Sequence, residues 1–160
     1  MTIIDTMITD RTEADVKALE ALTARINAGT TTADDWAEFL APGHKGGYNY
    51  EDLNRVGAAV EYLAGRLKDA GYSVPIQPKT DWVEADSPTP AQMADYLLQN
   101  QALRDAFVVL PTTPALPADM EGLTPSEANA IEESLVDIDR LLTNMAAAWF
   151  YSGDLYAGEV

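Results

Sequence analysis

Apolar residues recur at intervals of three and four along most of this 160-residue chain, which is the spacing of one face of an α-helix. The clearest stripe consists of Leu53, Val56, Val60, Leu63 and Leu67. A second long stripe, near the C-terminus, consists of Ile131, Leu135, Ile138, Leu142 and Met145. We therefore expect an all-α, bundle-like domain of four to five helices.

Shorter stripes predict the remaining helices. They run through Val16, Leu19, Leu22 and Ile26, through Trp36, Phe39 and Leu40, and through Met93, Tyr96, Leu97, Asn100, Leu103 and Phe107. A side-chain oxygen that can cap a helix precedes each of the five segments, at Thr12, Thr32, Asn49, Thr89 and Thr124. The last helix is expected to be about 25 residues long, with its end at the cluster Trp149-Phe150-Tyr151.

Long proline-rich connections separate the predicted helices. Pro75 and Pro78 predict an irregular crossing segment between residues 72 and 82, with Ile76 and Trp82 holding it against the helices. A short strand at 74–76 or 107–110 is compatible with this pattern. We divide the chain into an N-terminal arm (1–10), a helical domain (11–151) and a C-terminal tail (152–160).

The two strongest helices show a weak internal similarity. Asn54 stands two residues before Val56, as Asn129 stands two residues before Ile131, and the apolar positions that follow also match. Gene duplication would explain the match, although helical spacing and chance explain it more simply. We expect each asparagine to bond a backbone group of its own first turn or of the neighbouring loop.

The chain is strongly acidic, with 26 Asp and Glu against 10 Lys and Arg and a net charge of −16. This charge repels phosphate backbones and anionic lipid, so nucleic acid and membrane surfaces are not expected partners. The sequence contains no run of about 18 apolar residues, which is the length needed to cross a bilayer. Residues 1–10 lack the pattern of a signal peptide. Cysteine is absent, so disulfides and thiolate chemistry are excluded.

The sequence shows no catalytic motif. His44 is the only histidine and lies in a glycine-rich stretch that predicts a hinge rather than a phosphate loop. Adjacent acids such as Asp34-Asp35 and Glu132-Glu133 are typical of solvated helix faces or helix-dipole partners. We predict no catalytic, metal-binding or cofactor-binding residue, and no cofactor. Two acids converging in a deep pocket would favour an enzyme instead.

Aromatic side chains allow two interpretations. The residues concerned are Tyr48, Tyr50, Trp82, Trp149, Tyr151 and Tyr156. Tyrosine and tryptophan are common in cores and at protein interfaces, because they bury a large area while a polar tip stays wet. Their faces also stack on sugar rings. We favour a core or protein-interface role over glycan binding.

The chain resembles a group of small proteins encoded in phage and prophage structural modules of gut Gram-positive bacteria. The resemblance covers roughly residue 12 to the C-terminus. It rests on the order of five short motifs: Gly47-Tyr-Asn-Tyr-Glu-Asp-Leu-Asn-Arg-Val56, Trp82 with Thr89-Pro-Ala-Gln-Met-Ala-Asp-Tyr-Leu97, Leu116-Pro-Ala-Asp-Met-Glu-Gly-Leu-Thr124, Ala128-Asn-Ala-Ile-Glu132 and Trp149-Phe-Tyr-Ser-Gly-Asp-Leu-Tyr-Ala-Gly-Glu159. The resemblance implies a virion component of the tail, baseplate or fibre region, and it implies no catalytic residue.

Together these features predict a non-enzymatic structural protein of the virion, assembled in the bacterial cytoplasm and working through contacts with itself and other phage structural proteins. The expected interface residues are Tyr48, Tyr50, Arg55, Trp149, Tyr151 and Tyr156. The alternative is a carbohydrate-binding or host-adhesion module that recognises a surface glycan through exposed aromatic rings.

Overall fold

The computed structural model describes residues 1–41 and 43–154, with side chains described as far as residue 148. These residues form a short 3-10 turn over Ile3–Thr6 and five α-helices, and they contain no strand. The helices are α1 (Glu13–Asn27), α2 (Ala33–Phe39), α3 (Tyr50–Asp69), α4 (Pro90–Ala106) and α5 (Pro125–Asp154). The predicted all-α fold is confirmed.

Each helix begins directly after the residue whose side chain was expected to cap it. The hydroxyls of Thr12, Thr32 and Thr89 accept a hydrogen bond from the backbone N–H three residues later. The Asn49 side chain accepts from two first-turn N–H groups, and the Thr124 hydroxyl accepts from Glu127 N–H at 3.3 Å. These bonds satisfy backbone donors that have no partner inside the helix, so the local sequence fixes where each helix starts.

The core lies between α3, α4, α5 and the N-terminal turn. Its centre consists of residues at most 1% exposed on α3 and α5, namely Val56, Val60, Leu63, Leu67, Ile131, Leu135 and Ile138. From α4, Leu103 is fully buried, while Tyr96 and Leu97 are each 8% exposed. The two clearest stripes of the sequence therefore face one another in the core.

The first two helices form a peripheral hairpin. α1 packs against α2, and of its own side chains only Leu22 is buried. α2 buries none of its seven residues. Arg25 holds the hairpin together by donating to Asp35 Oδ1, 3.0 Å from Nε and 2.7 Å from Nη2.

The residues predicted to be an N-terminal arm belong to the packed fold. Ile4 is 7% exposed and joins the core, and the Ile8 N–H donates to Glu132 Oε2 at 2.7 Å. α5 extends through Asp154, so the first residues of the predicted 152–160 tail continue this helix. Residues 155–160 of that tail lie outside the described residues.

The connection between α3 and α4 is irregular, as expected. Ile76 packs against the core and Trp82 is 5% exposed, so both hold the segment in place. Neither 74–76 nor 107–110 forms a strand. After the first of these segments come Pro78, which has no backbone N–H to donate, and Trp82, whose backbone pairs with the Asn54 side chain instead of a neighbouring strand.

Candidate functional site

Two asparagine side chains bind the backbone of two extended segments in the same way. Asn129 on α5 accepts from Arg11 N–H and donates to the Arg11 carbonyl, both at 2.9 Å. Asn54 on α3 accepts from Trp82 N–H and donates to the Trp82 carbonyl, both at 2.8 Å. A side-chain amide here replaces a strand partner. Neither asparagine bonds its own first turn, because the partner lies 118 residues from Asn129 and 28 residues from Asn54 in sequence.

The two bound segments are also similar in sequence, with the same residues at five of seven positions. Residues 9–15 read Thr-Asp-Arg-Thr-Glu-Ala-Asp and residues 80–86 read Thr-Asp-Trp-Val-Glu-Ala-Asp. Both end in the same turn, since Thr12 N–H donates to Asp15 at 2.7 Å and Val83 N–H donates to Asp86 at 3.0 Å. A self-comparison of the sequence would have found this repeat.

Each segment is bound by the opposite half of the chain, if the first half is taken to end with α3 and the second to begin after it. The first segment, before α1, is held by α5, whereas the second, before α4, is held by α3. Each half therefore supplies a segment to the long helix of the other. The matching sequences and matching hydrogen bonds add to the internal similarity for which gene duplication is one explanation and chance the other.

Four charged side chains form a cluster where the first segment meets α3 and α5. Arg11 Nη2 donates to Asp52 Oδ1 at 2.8 Å and to Glu132 Oε1 at 2.6 Å. Arg55 Nη2 donates to Glu132 Oε1 at 2.7 Å and also contacts Asp52. The side chains of Arg11, Asp52 and Glu132 are at most 3% exposed. Two cations and two anions leave the cluster with no net charge, which is what allows its burial.

The burial of Glu132 corrects the interpretation of Glu132-Glu133 as a solvated acidic pair. Glu132 is fully buried, and only Glu133 is exposed. The spacing held a signal for this, because Glu132 lies four residues after the buried Ala128 and three before Leu135, on the core face of α5. The sequence of α5 alone, however, could not predict that Arg11 pairs with Glu132.

Two tyrosines extend the cluster toward α4. The Arg11 guanidinium lies 5.3 Å from the centroid of the Tyr48 ring, and the Tyr48 and Tyr96 hydroxyl oxygens are 2.5 Å apart. Burial raises the pKa of both tyrosines above the ordinary value of 10.0, and nearby Glu132 adds to the effect. Burial lowers the pKa of Arg55, but the bonds and charges of Glu132 and Asp52 together outweigh burial, so the net direction is upward.

The two acids of the cluster are paired with arginines. Asp52 and Glu132 converge, but both are neutralised by arginine, and neither lines the cavity of about 40 Å³ beside Arg11. Among the described residues no group of three or more His, Asp or Glu side chains could hold a metal ion. His44 contacts the Phe39 carbonyl oxygen at 3.1 Å, within the link between α2 and α3.

A cavity of about 330 Å³ lies where the second segment crosses α3 and α4. Gly57, three residues after Asn54, lines it and permits the close approach of the segment, because a Cβ there would lie 2.7 Å from the Lys79 carbonyl oxygen. The equivalent position on α5 is Glu132, three residues after Asn129. The position three residues after the asparagine thus holds a buried carboxylate on α5 and a glycine beside a cavity on α3.

A groove of about 520 Å³ lies between the peripheral hairpin and the start of α3. Phe39 and Leu40 form one wall, and Tyr50 and Leu53 line another. Trp36, Phe39 and Leu40 beside it are 46%, 37% and 72% exposed. Apolar side chains of the hairpin and of α3 line this groove, which we call the apolar groove, and acidic side chains line it as well.

The structure distributes the predicted interface residues over several environments. Tyr48 and Arg55 are engaged by the buried cluster, although Tyr48 also lines the groove. Tyr50 is half-buried and lines the groove. Trp149 and Tyr151 lie on the last turns of α5 with side chains outside the described part, and Tyr156 lies outside the described residues altogether.

No helix within the described ranges is both long enough and apolar enough to span a membrane. No protein-family model, no curated protein and no solved structure matches this chain.

Proposed function

We propose that this chain is a non-enzymatic structural protein of a phage or prophage virion, associated with the tail, baseplate or fibre region and working through protein-protein assembly. The observation that carries the proposal is the exposed apolar surface of α2. This helix has seven residues and buries none of them, yet it presents a tryptophan, a phenylalanine and, at its end, a leucine to solvent. Exposed apolar surface of this kind is typical of contact sites between proteins.

The rest of the molecule suits a scaffold role. Its buried charges are paired internally, and the described part of the chain offers no group of metal ligands. The net charge of −16 disfavours nonspecific self-adhesion away from the apolar groove. The motif resemblance is the reason for proposing a virion protein. Symmetric self-association is the simplest form that its assembly could take.

Sedimentation velocity over a wide concentration range tests the assembly proposal. We expect concentration-dependent oligomers for the native chain and a monomer for Trp36→Ser/Leu40→Ser, because the double substitution removes the exposed apolar groups. Val108→Ser is the matched control, since Val108 is 86% exposed on another part of the surface. A native chain that stays monomeric and binds none of the tail proteins encoded beside it would contradict the proposal.

The glycan-binding alternative gains no support from the described aromatic residues. Trp82 is 5% exposed, and the Tyr48 hydroxyl is bonded to Tyr96. Trp36 and Phe39 are exposed, but their rings meet edge to face at 88°, so they do not form a coplanar platform. Protein assembly is therefore the function that we place first.

A further inference from the structure

The cavity between α3, α4 and the second segment has the properties of a small-molecule site. Its volume of about 330 Å³ lies in the range of about 300–1,000 Å³ that is usual for ligand pockets. Gly57, Val60, Pro78 and Ala91 give it apolar walls, and Trp82 and Tyr96 add aromatic rings. No residue of the apolar groove near α2, apart from Trp82, lines it.

Unpaired polar atoms are concentrated at this cavity. In the part of the chain whose side chains are described, four buried side-chain polar atoms have no hydrogen-bond partner. Three of them belong to residues that line the cavity: Trp82 Nε1, Gln99 Oε1 and Asn100 Oδ1. Trp82 and Asn100 are 5% and 1% exposed. Buried polar atoms without partners cost free energy, so their collection on the residues of one cavity makes it the candidate site for a bound group.

The orientation of the two amides follows from their other bonds. The Asn100 amide nitrogen donates to the Tyr96 carbonyl at 2.8 Å, and the Gln99 amide nitrogen donates to Asp95 at 2.5 Å. Both partners can only accept, so the oxygen of each amide is the end left unpaired. The cavity residues therefore offer two acceptors, from Asn100 and Gln99, and one donor, from the Trp82 indole.

The charged groups near the cavity are already engaged. Lys79 Nζ lies 4.8 Å from the centroid of the Trp82 ring and 2.5 Å from Asp81 Oδ1. Asp95 accepts the Gln99 amide. Because these charged groups already have partners, the ligand that fits the cavity carries no charge. It donates a hydrogen bond to an amide oxygen, accepts one from the Trp82 indole N–H and places an apolar face against the walls.

We infer that this cavity binds a small, uncharged, planar molecule with a primary carboxamide group. Its NH₂ group donates to the oxygens of Asn100 and Gln99, its carbonyl accepts from Trp82 Nε1, and its ring packs against Val60 and Pro78. Because these three polar atoms are closed off from solvent in the structure, the inference requires their side chains to rotate when the ligand binds. This binding is independent of the assembly function proposed above.

Benzamide is the probe, and the Trp82 indole N–H resonance of ¹⁵N-labelled protein is the readout. The resonance is identified by its loss in Trp82→Phe. We expect it to shift saturably with benzamide at millimolar concentration, because the indole gains a hydrogen bond. Benzoate, which is charged, and toluene, which lacks the amide, should leave the resonance in place.

Two substitutions locate the effect. Asn100→Leu and Gln99→Met each remove one acceptor, and each should weaken benzamide binding about tenfold. Gln101→Met is the matched control, because Gln101 lies on the same helix but lines a different cavity. Circular dichroism checks folding, and if Asn100→Leu does not fold, Gln99→Met decides. The inference is overturned if benzamide gives no saturable shift, if toluene gives the same shift, or if the acceptor substitutions leave the affinity unchanged.

Discussion

The guanidinium Nη2 of Arg11 lies 2.6 Å from Oε1 of Glu132, although 121 residues separate the two side chains in sequence. Glu132 also accepts from Arg55 and from the Ile8 N–H, so one carboxylate joins the N-terminal segment, α3 and α5. A fully buried carboxylate is tolerated only while these donors remain in place.

Replacement of Glu132 by glutamine should therefore destabilise the protein strongly. The substitution keeps the shape of the side chain but leaves two arginines against the single carboxylate of Asp52. We expect a loss of about 3–5 kcal/mol in the free energy of unfolding. Urea denaturation measures it, with Glu133→Gln as the control, because Glu133 is the exposed neighbour on the same helix. Equal effects of the two substitutions would contradict a structural role for the cluster.

Asn129→Ala should weaken the attachment of the N-terminal segment. It removes both partners of the Arg11 backbone N–H and carbonyl, and we expect a loss of about 1–3 kcal/mol. Hydrogen exchange at the Arg11 amide should accelerate at the same time. Asn27→Ala, at an exposed helix end, is the control. Unchanged exchange at Arg11 would show that the segment is held by other contacts.

Two glycines of α3 should respond in opposite directions to the same substitution. A Cβ at Gly57 would lie 2.7 Å from the Lys79 carbonyl oxygen, so Gly57→Ala should cost about 1–3 kcal/mol as the segment is displaced. Gly65 has nothing within 4 Å, so Gly65→Ala should gain about 0.5–1 kcal/mol from helix propensity. Urea denaturation of both variants gives the comparison, and a gain for Gly57→Ala would refute the close approach.

Acidification should loosen the α1–α2 hairpin over a defined range of pH. Arg25 first, and then Thr32, lower the pKa of Asp35 from 3.8 to about 2. Since the folded-state pKa is depressed, the contribution of Asp35 to stability is complete above 3.8 and is lost as the pH falls through about 2. The ¹³C carboxyl resonance of Asp35 should titrate at the lowered value, and Arg25→Ala should move the midpoint back toward 3.8. The same Asp35 midpoint in Arg25→Ala as in the native chain would contradict the pairing.

Alkaline conditions should act on the Tyr48–Tyr96 pair instead. Burial raises the pKa of both tyrosines above 10.0 in the folded protein. The unfolded chain therefore releases these protons first, so stability is complete below 10.0 and falls as the pH rises above it. Tyr48→Phe should make the decline less steep in urea denaturation series between about pH 8 and about pH 11. An identical decline in Tyr48→Phe/Tyr96→Phe would exclude this origin.

Local chemistry explains why so much of the fold was predictable. A cap such as Thr12 bonds a backbone group three residues away, and the Leu53–Leu67 stripe needs only helical spacing to face one direction. Both depend on neighbours in sequence. The helix starts, the all-α class and the irregular proline-rich connection were therefore available from the residues alone.

The placement of Arg11, Glu132 and Trp82 depends on contacts that no local pattern contains. An acid on an apolar helix face can be buried only if cations from distant segments reach it, and here these come from residues 11 and 55. The cavity likewise needs Gly57 on α3, Asn100 on α4 and the crossing segment to meet. Sequence determined the helices and their apolar faces, whereas only tertiary packing decided which charges are buried and where a cavity remains, because burial is a property of several segments together.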